Sequence, residues 1–295
     1  MRVFLTGATG WIGSAIARDL MDHGHEVTGL ATSPAKAETL SGRGVTPLVG
    51  TLGDLDVLRQ GASGADGIVH TAFGLDISRI GELAAEDRRA IETFGAVFAG
   101  SDRPIVVTSG FLNMTGGTTT EDDRPDVLPD FPRASEQTAL ALADRGLRAS
   151  VVRNPRSVHG QGERHGFVPM LAAVARDRGV SAFVGEGGQR WPAVHRDDAA
   201  RLYRLALEHG GQGEVFHAVA EEAVPFREIA EAIARQVGVP AVSLTRDEAG
   251  GHFGPLAVWV ANDGPASSAR TRRTLGWRPD GPVIVADIGR ADYPG

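Results

Sequence analysis

The residues whose type and spacing most clearly indicate a binding site are three glycines in the stretch TGATGWIG. Gly7, Gly10 and Gly13 follow a short apolar run and precede a helical pattern. This spacing allows a tight turn, a close approach of the backbone to a pyrophosphate, and close packing of helix on strand, while free N–H groups at the helix start meet the phosphates. The stretch predicts a dinucleotide-binding turn, with an ordinary tight turn as the alternative. The predicted contacts are Gly7, Thr9, Gly10, Trp11, Ile12 and Gly13.

The end of the second predicted strand indicates which dinucleotide would bind. NAD sites usually place Asp or Glu there, to accept a hydrogen bond from the ribose 2′-OH. This chain has LATS at 30–33 instead, so no carboxylate would repel a 2′-phosphate. The hydroxyls of Thr32 and Ser33 and the ammonium of Lys36 could bind that phosphate, which favours NADP(H), with NAD(H) possible. The hydroxyls could instead cap the helix that begins at Pro34.

The composition restricts the partners and the compartment that we expect. The chain has 295 residues, a formal net charge of −7 and no cysteine. Nucleic acid and anionic membranes both need a basic face, which this charge does not favour. Without cysteine there is no disulfide and no thiolate metal site. No apolar run is long enough to cross a membrane, and no secretory signal pattern is present, so we expect a cytoplasmic protein.

Short apolar runs alternate with amphipathic helical patterns along the chain, which predicts a parallel sheet covered by helices on both faces. The predicted strands are Arg2–Thr6, His25–Ala31, Val45–Gly50, Asp66–Ala72, Pro104–Gly110 and Arg148–Arg153. The predicted helices are Trp11–His23, Pro34–Leu40, Leu55–Gln60, Ile77–Phe98, Ala134–Asp144, Phe167–Asp177, Asp197–Glu208 and Pro225–Val237, the last three among short strands. Polar loops are predicted at 113–132, over an active-site edge, and at 160–166.

Several stretches occur in an order that is typical of one family. They are TGATGWIG, the segment ending in Asp54 and Leu55, GADGIVHTAF, VVTSG, AVHRDDAARL and SARTRRTLGWRP. Through them nearly the whole chain resembles the extended short-chain dehydrogenase/reductases, the group that contains sugar-nucleotide epimerases and dehydratases. The resemblance implies an α/β fold, a Rossmann doubly wound parallel sheet with a smaller C-terminal α/β substrate lobe. The Rossmann domain would span 1–158, with 193–220 returning to it, and the lobe would comprise 159–192 and 221–295.

The same resemblance implies further contacts with the dinucleotide. Asp54 and Leu55 would face the adenine, and Thr108 and Ser109 would lie beside the nicotinamide. The full set is Asp54, Leu55, Thr71, Ala72, Phe73, Thr108, Ser109, Pro155, Ser157 and Val158. Asp54 could instead be only a helix N-cap, which is a common role for Asp at such a place.

The chain departs from the family at the residues that perform acid–base chemistry. The family's reaction needs a Tyr and, four residues later, a Lys that lowers the pKa of the phenol. In FPRASEQTALAL these positions fall on Pro132 and Glu136. Realignment does not restore the pair, because the only lysine is Lys36 and the only tyrosines are Tyr203 and Tyr293. The chain therefore resembles an atypical member of the family.

Three other residues are candidates for the chemistry. His159 follows the turn that would hold the nicotinamide carboxamide and could donate a proton, or could be a loop histidine bonded to backbone. Ser109 could hydrogen-bond a substrate carbonyl, or satisfy its own loop. Arg133, like Arg156, could fix an anionic substrate, or be solvated. We expect no metal site, because the polar residues near His159 lie in a loop without a supporting pattern of partners.

The first hypothesis is an NADP(H)-dependent oxidoreductase that reduces a small or medium organic carbonyl, imine or activated alkene. A second is an NADP-binding sensor or partner-binding protein without redox turnover, and a third is a lyase or isomerase on the same fold. The resemblance also implies a homodimer, paired through the helices predicted at 77–98 and 134–144. Nucleic acid and membrane are not expected as partners.

Overall fold

The computed structural model describes residues 1–74, 76–110 and 117–290. Its strands are β1 Arg2–Thr6, β2 Glu26–Ala31, β3 Thr46–Val49, β4 Gly67–His70, β5 Ile105–Gly110, β6 Ala149–Asn154, β7 Ser157–His159, β8 Ser181–Val184, β9 Arg190–His195, β10 Val215–His217, β11 Glu221–Pro225 and β12 Ala241–Leu244. Its α-helices are α1 Trp11–Asp22, α2 Pro34–Ser41, α3 Leu55–Ser63, α4 Ile80–Phe98, α5 Ser135–Asp144, α6 Phe167–Arg178, α7 Arg196–His209, α8 Phe226–Val237, α9 Arg246–Phe253, α10 Ala257–Val260, α11 Ala269–Leu275 and α12 Ile284–Ile288.

Seven of these strands form one parallel sheet in the order β10-β6-β5-β4-β1-β2-β3. Its central strands are buried on both faces, as their near-continuous apolar sequences require. Helices α1 and α7 cover one face, and α3, α4 and α5 cover the other. The strand order reverses between β1 and β4, and a crevice opens there at the carboxyl ends of the strands. This is the Rossmann fold that the sequence predicts.

The remaining strands belong to a second layer above the sheet. In it β9 pairs in parallel with β7 and antiparallel with β11, while β8 pairs with β12. A separate apolar core, which contains Trp191, Phe226 and Ile284, joins these strands to α6, α8 and α12. The division into domain and lobe stays a prediction. Leu275 and Trp277, which it assigns to the lobe, lie in the same buried core as residues of α1 and α7.

One predicted loop and one of the two tyrosines fall partly or wholly outside the described residues. The predicted loop at 113–132 is described only from residue 117, where Thr119 forms an isolated bridge with Ala266. Tyr293 also lies outside the described ranges. Within those ranges, no helix is both long and apolar enough to span a membrane.

Candidate functional site

A cleft of about 640 Å³ lies at the carboxyl ends of the central strands. Its volume falls in the range of small-molecule and cofactor sites. Of the predicted cofactor contacts, those that line it are Gly7, Thr9, Gly10, Trp11, Ile12, Gly13, Thr32, Lys36, Thr71, Ala72, Phe73, Thr108, Pro155 and Val158. Residues far apart in the sequence therefore meet along one groove, which passes the glycine-rich turn.

The geometry of the glycine-rich turn fits a diphosphate. Gly7 has φ 75°, and the N–H of Gly10 donates to its carbonyl oxygen at 2.8 Å. A Cβ on Gly13 would lie 2.1 Å from that same oxygen, so only glycine allows α1 to pack this closely. Gly10 caps α1 without a side-chain hydrogen bond, and the first turn carries no acid. The N–H groups there can therefore meet an anion.

At one end of the cleft lie the groups predicted to select the dinucleotide. Thr32 and Lys36 line it, and the Nζ of Lys36 donates to Thr32 Oγ1 at 2.9 Å. Ser33 lies outside the lining and caps α2, since its Oγ accepts from the N–H of Lys36 at 3.3 Å. The capping alternative thus describes Ser33, whereas Thr32 and Lys36 remain available to a ribose phosphate. Ala31 is fully buried at the end of β2.

Asp54 and Leu55 also lie outside the lining, and Thr51 and Leu52 take their place there. The carboxylate of Asp54 accepts from the N–H of Thr51 at 2.7 Å and from its hydroxyl at 2.8 Å. These hydrogen bonds lower the pKa of Asp54. The Asp therefore stabilises the turn before α3, and the apolar Leu52 of this turn lines the cleft.

The opposite end of the cleft is formed by the ends of β4, β5 and β6. Thr71, Thr108 and Asn154 line it, each at or just beyond the last residues of a strand. Ser157 lies outside the lining and is buried, with its Oγ accepting from the indole N–H of Trp191 at 2.9 Å. In a Rossmann fold the nicotinamide half of a dinucleotide lies over this side of the switch point.

Ser109 and Arg133 line a small recess beside the cleft. The guanidinium of Arg133 lies 4.0 Å over the ring of Phe73 and donates to Thr108 O at 3.0 Å. Its Nε donates to Ser135 Oγ at 2.8 Å. Arg133 therefore joins the recess to the cleft and is held in place, so it is not a freely solvated side chain.

A buried polar chain fixes this wall of the cleft. Thr6 Oγ1 accepts from the N–H of Thr71 at 3.2 Å and lies 2.8 Å from His70 Nδ1. His70 Nε2 lies 3.0 Å from Asp87, which accepts from Ser135 Oγ at 2.7 Å. Burial would raise the pKa of Asp87, but His70, Arg133 and Ser135 lower it overall. These hydrogen-bonded side chains connect the central strand β1 to the start of α5.

At the start of α5, where the family would place its tyrosine and lysine, the chain has a buried ion pair. Glu136 accepts two hydrogen bonds from Arg153 of β6, at 2.6 and 2.9 Å. Both side chains are buried. Glu136 therefore binds helix to sheet, and it does not face the cleft.

Tyr203, inside α7, has its hydroxyl directly beneath the cleft. The hydroxyl lies 2.8 Å from Thr108 Oγ1 and accepts from Asn154 Nδ2 at 2.9 Å. The side chain is fully buried, and burial raises the pKa of Tyr203 to about 12. It positions two lining residues without lining the cleft itself.

His159 lies behind the cleft rather than in its lining. It is 1% exposed, its Nδ1 lies 2.9 Å from Asp287, and its Nε2 lies 3.7 Å from Glu221. Burial would lower the pKa of His159, but the hydrogen bond with Asp287 and the nearby carboxylate of Glu221 raise it overall. This placement conflicts with the predicted role as proton donor, because a general acid must reach the substrate. His159 instead joins β7 to α12.

The cleft also contains residues that are not among the predicted cofactor contacts. Glu163 and His165, from the loop before α6, line it together with Asn154 and Arg156. Asn154 could have been found as a polar residue at the carboxyl end of a parallel strand. The inward direction of Glu163 depends on how its loop folds. Among the described residues, no group of three or more His, Cys, Asp or Glu could hold a metal.

Fold and cleft together define the class: a Rossmann protein with a dinucleotide site at its switch point. A family model described as NAD(P)H-binding matches residues 7–180, and the chain belongs to this family, within the extended short-chain dehydrogenase/reductases. An uncharacterised protein of Schizosaccharomyces pombe is 44% identical, over 99% of this chain and 100% of its own length. A 2-alkyl-3-oxoalkanoate reductase of Stenotrophomonas maltophilia is 28% identical, over 82% and 77%. The structure of a dTDP-glucose 4,6-dehydratase from Streptomyces venezuelae with NAD bound has a TM-score of 0.76 at 21% identity, covering 98% of this chain and 95% of that one.

Proposed function

We propose that this protein is an NADP(H)-dependent oxidoreductase that reduces a carbonyl, imine or activated alkene of a small or medium organic molecule. One observation carries the proposal. A single groove leads from Thr32 and Lys36, past the glycine-rich turn, to the polar strand ends at Thr108 and Asn154. It offers a ribose-phosphate site, a diphosphate site and a polar reaction site in the order that a dinucleotide needs.

The preference for NADP(H) rests on charge. Lys36 places an ammonium beside Thr32 at the adenosine end of the groove. No carboxylate stands at the end of β2 to accept from a 2′-OH or to repel a 2′-phosphate. We therefore expect NADPH to bind more tightly than NADH. Fluorescence titration of both dinucleotides tests this, and equal or reversed affinities would contradict it.

The reaction class rests on the opposite end of the groove. When bound, NADPH supplies the hydride for the reduction. Thr108 and Asn154, which line the cleft, can orient the acceptor. The guanidinium of Arg133, held over Phe73, can attract an anionic substrate group that reaches the adjoining recess. Ser109 lies in the adjoining recess and stays a candidate for hydrogen bonding to the substrate.

The test is oxidation of NADPH in the presence of a panel of candidate acceptors. The panel begins with 3-oxo acids, because the Stenotrophomonas relative is named as a reductase of 2-alkyl-3-oxoalkanoates. It continues with neutral ketones, aldehydes, cyclic imines and enones. Turnover that is faster for 3-oxo acids than for neutral ketones would support both the reaction and a role for Arg133.

A second function is favoured by α5. Its first turn contains a buried structural ion pair, Glu136–Arg153, in place of an acid–base pair. A protein that binds NADP(H) without turnover could retain the groove without the groups that catalyse a reduction. Tight binding of NADPH without its oxidation by any acceptor of the panel would favour this sensor over the reductase.

A further inference from the structure

The loop between β7 and α6 turns one acid inward. Its residues Gly162 and Arg164 are exposed, whereas Glu163 between them is only 4% exposed and lines the cleft. The N–H of Glu163 donates to Gly160 O at 3.2 Å, which closes the turn that directs the side chain inward. An acid in a Gly-rich surface loop ordinarily points into water.

The carboxyl group of Glu163 is packed in place. A Cβ on Gly166 would lie 1.9 Å from its Oε1, so the group occupies space that only glycine leaves free. Its Oε2 is buried and has no hydrogen-bond partner within the described part of the chain. Burial raises the pKa of Glu163 to about 8, with His159 acting against the rise and Asp287 adding to it. A carboxyl group in such surroundings holds its proton at neutral pH.

The neighbouring charged groups are occupied with one another. His159 on β7 lies between Asp287 of α12 and Glu221 of β11, and its ring packs 5.7 Å from that of His195 on β9. The two acids thus hold the histidine, and among the described residues Glu163 has no ion-pair partner. Glu163 alone of these groups lines the cleft.

We propose that Glu163 is the proton donor of the reduction, in place of the tyrosine that α5 lacks. The inference rests on the proposed function. As the hydride forms the new C–H bond, the π electron pair of the carbonyl or imine moves to its oxygen or nitrogen. That atom takes the proton from the O–H of Glu163, which becomes a carboxylate. The carboxylate regains a proton from solvent before the next turnover, so the products are an alcohol or amine and NADP⁺.

The first experiment measures binding and needs no substrate. Dissociation constants of NADP⁺ and NADPH are measured from pH 6 to pH 9.5 for the wild type and Glu163→Gln. A carboxylate beside the nicotinamide attracts the positive ring of NADP⁺ but not the neutral ring of NADPH. In the wild type, binding of NADP⁺ relative to NADPH should therefore strengthen several-fold as the pH rises through about 8. The variant should lose this dependence.

The second experiment measures turnover with the best acceptor of the panel. Glu163→Gln should lower kcat roughly 10²–10⁴-fold with the affinity for NADPH at neutral pH unchanged, and Glu163→Asp should recover part of the loss. The wild-type rate should fall above about pH 8, where the donor is ionised. The control is Glu186→Gln, which removes an exposed carboxylate of the same layer outside the cleft.

The outcomes separate the two proposals. Wild-type turnover that persists in Glu163→Gln, with an unchanged pH profile, would overturn the donor role and leave the reductase standing. Binding of the dinucleotides without the pH dependence would also overturn it, since the acid would not face the nicotinamide. If none of the acceptors in the panel supports oxidation of NADPH by the wild type, the proposed reductase function is wrong, and the proposed role of Glu163 as proton donor is wrong with it.

Discussion

The proposed selectivity for NADPH through Thr32 and Lys36 predicts that one substitution reverses the preference. Thr32→Asp would place a carboxylate in the lining of the cleft, where it repels a 2′-phosphate and accepts from a 2′-OH. We expect NADPH to bind at least tenfold more weakly (about 1.4 kcal/mol or more) and NADH to bind at least as well as before. Fluorescence titration measures both constants.

The matched control for this change is Ser41→Asp. It adds the same charge to α2 at an exposed position outside the cleft. The affinity for NADPH should then change little. Equal weakening by both variants would show that only the net charge had mattered, and would contradict a phosphate site at Thr32.

Glu163 should also make the stability of the folded protein depend on pH. In the unfolded chain it ionises near the ordinary pKa of 4.5, but in the folded chain near 8. Between these values the folded state holds a proton that the unfolded state has released, so the contribution of Glu163 falls as the pH rises. The resulting decrease in the free energy of unfolding should reach a few kcal/mol at most by pH 8. Glu163→Gln should therefore gain stability relative to the wild type between pH 5 and pH 8, measured by urea denaturation. Parallel pH profiles for the two proteins would contradict the burial of an acid there.

At the residue scale, the sequence predicted the groups whose roles are set by local backbone. The glycine-rich turn, Thr32 and Lys36 all line the cleft because a strand and the following helix direct them there. Ser33, Asp54 and Ser157 were placed less well, since each has a second use, as a cap, a turn residue or a partner for Trp191. Spacing alone does not distinguish the two uses. Nor does spacing reveal the direction of a loop side chain, which is why Glu163 was missed.

Helix α5 begins with a buried ion pair, Glu136–Arg153, that joins the helix to the sheet. Glu136→Ala would leave the guanidinium of Arg153 buried in β6, beside the edge strand of the sheet, without its ion-pair partner. We expect a loss of about 3–5 kcal/mol in the free energy of unfolding, because a buried charge has lost its partner. Asp144→Ala, at the exposed end of the same helix, should change stability little. A loss below about 1 kcal/mol for Glu136→Ala, in the range of exposed pairs, would contradict this role.

Among the elements, the predicted strands and helices of the central sheet are confirmed with small shifts at their ends. Inner strands such as β4 and β6 are buried on both faces, so their near-continuous apolar sequences identify them. The short strands β7, β8, β9, β11 and β12 were not placed individually. They carry mixed sequences such as SVH and EEAVP, and their pairing depends on contacts across the second layer.

At the scale of the whole molecule, the homodimer stays a prediction. Helix α4 presents Arg88, Arg89 and Glu92 on its exposed side, and α5 packs beside it. If these helices pair across a two-fold axis, sedimentation equilibrium at micromolar concentration should give twice the chain mass of 31.0 kDa. Charge reversal by Arg88→Glu and Arg89→Glu should shift the mass towards one chain, and Arg235→Glu on the exposed side of α8 should not. A wild type that sediments as a monomer would end the prediction.

The packing of Trp277 has a consequence for how the protein is made. Its indole lies in the core between α1 and α7 and donates to Asp198 O at 3.0 Å. The carboxylate of Asp198 accepts from the N–H groups of Asp280 and Gly281, at 3.1 and 2.9 Å. The glycine-rich turn is therefore synthesised long before Trp277, although both belong to the same layer of the fold. Until residues 277–281 are made, Asp198 keeps its ion pair with Arg201 but lacks these two N–H donors, and the place of the indole in the apolar core stays empty. The nucleotide-binding layer should therefore complete its folding only after these residues have left the ribosome.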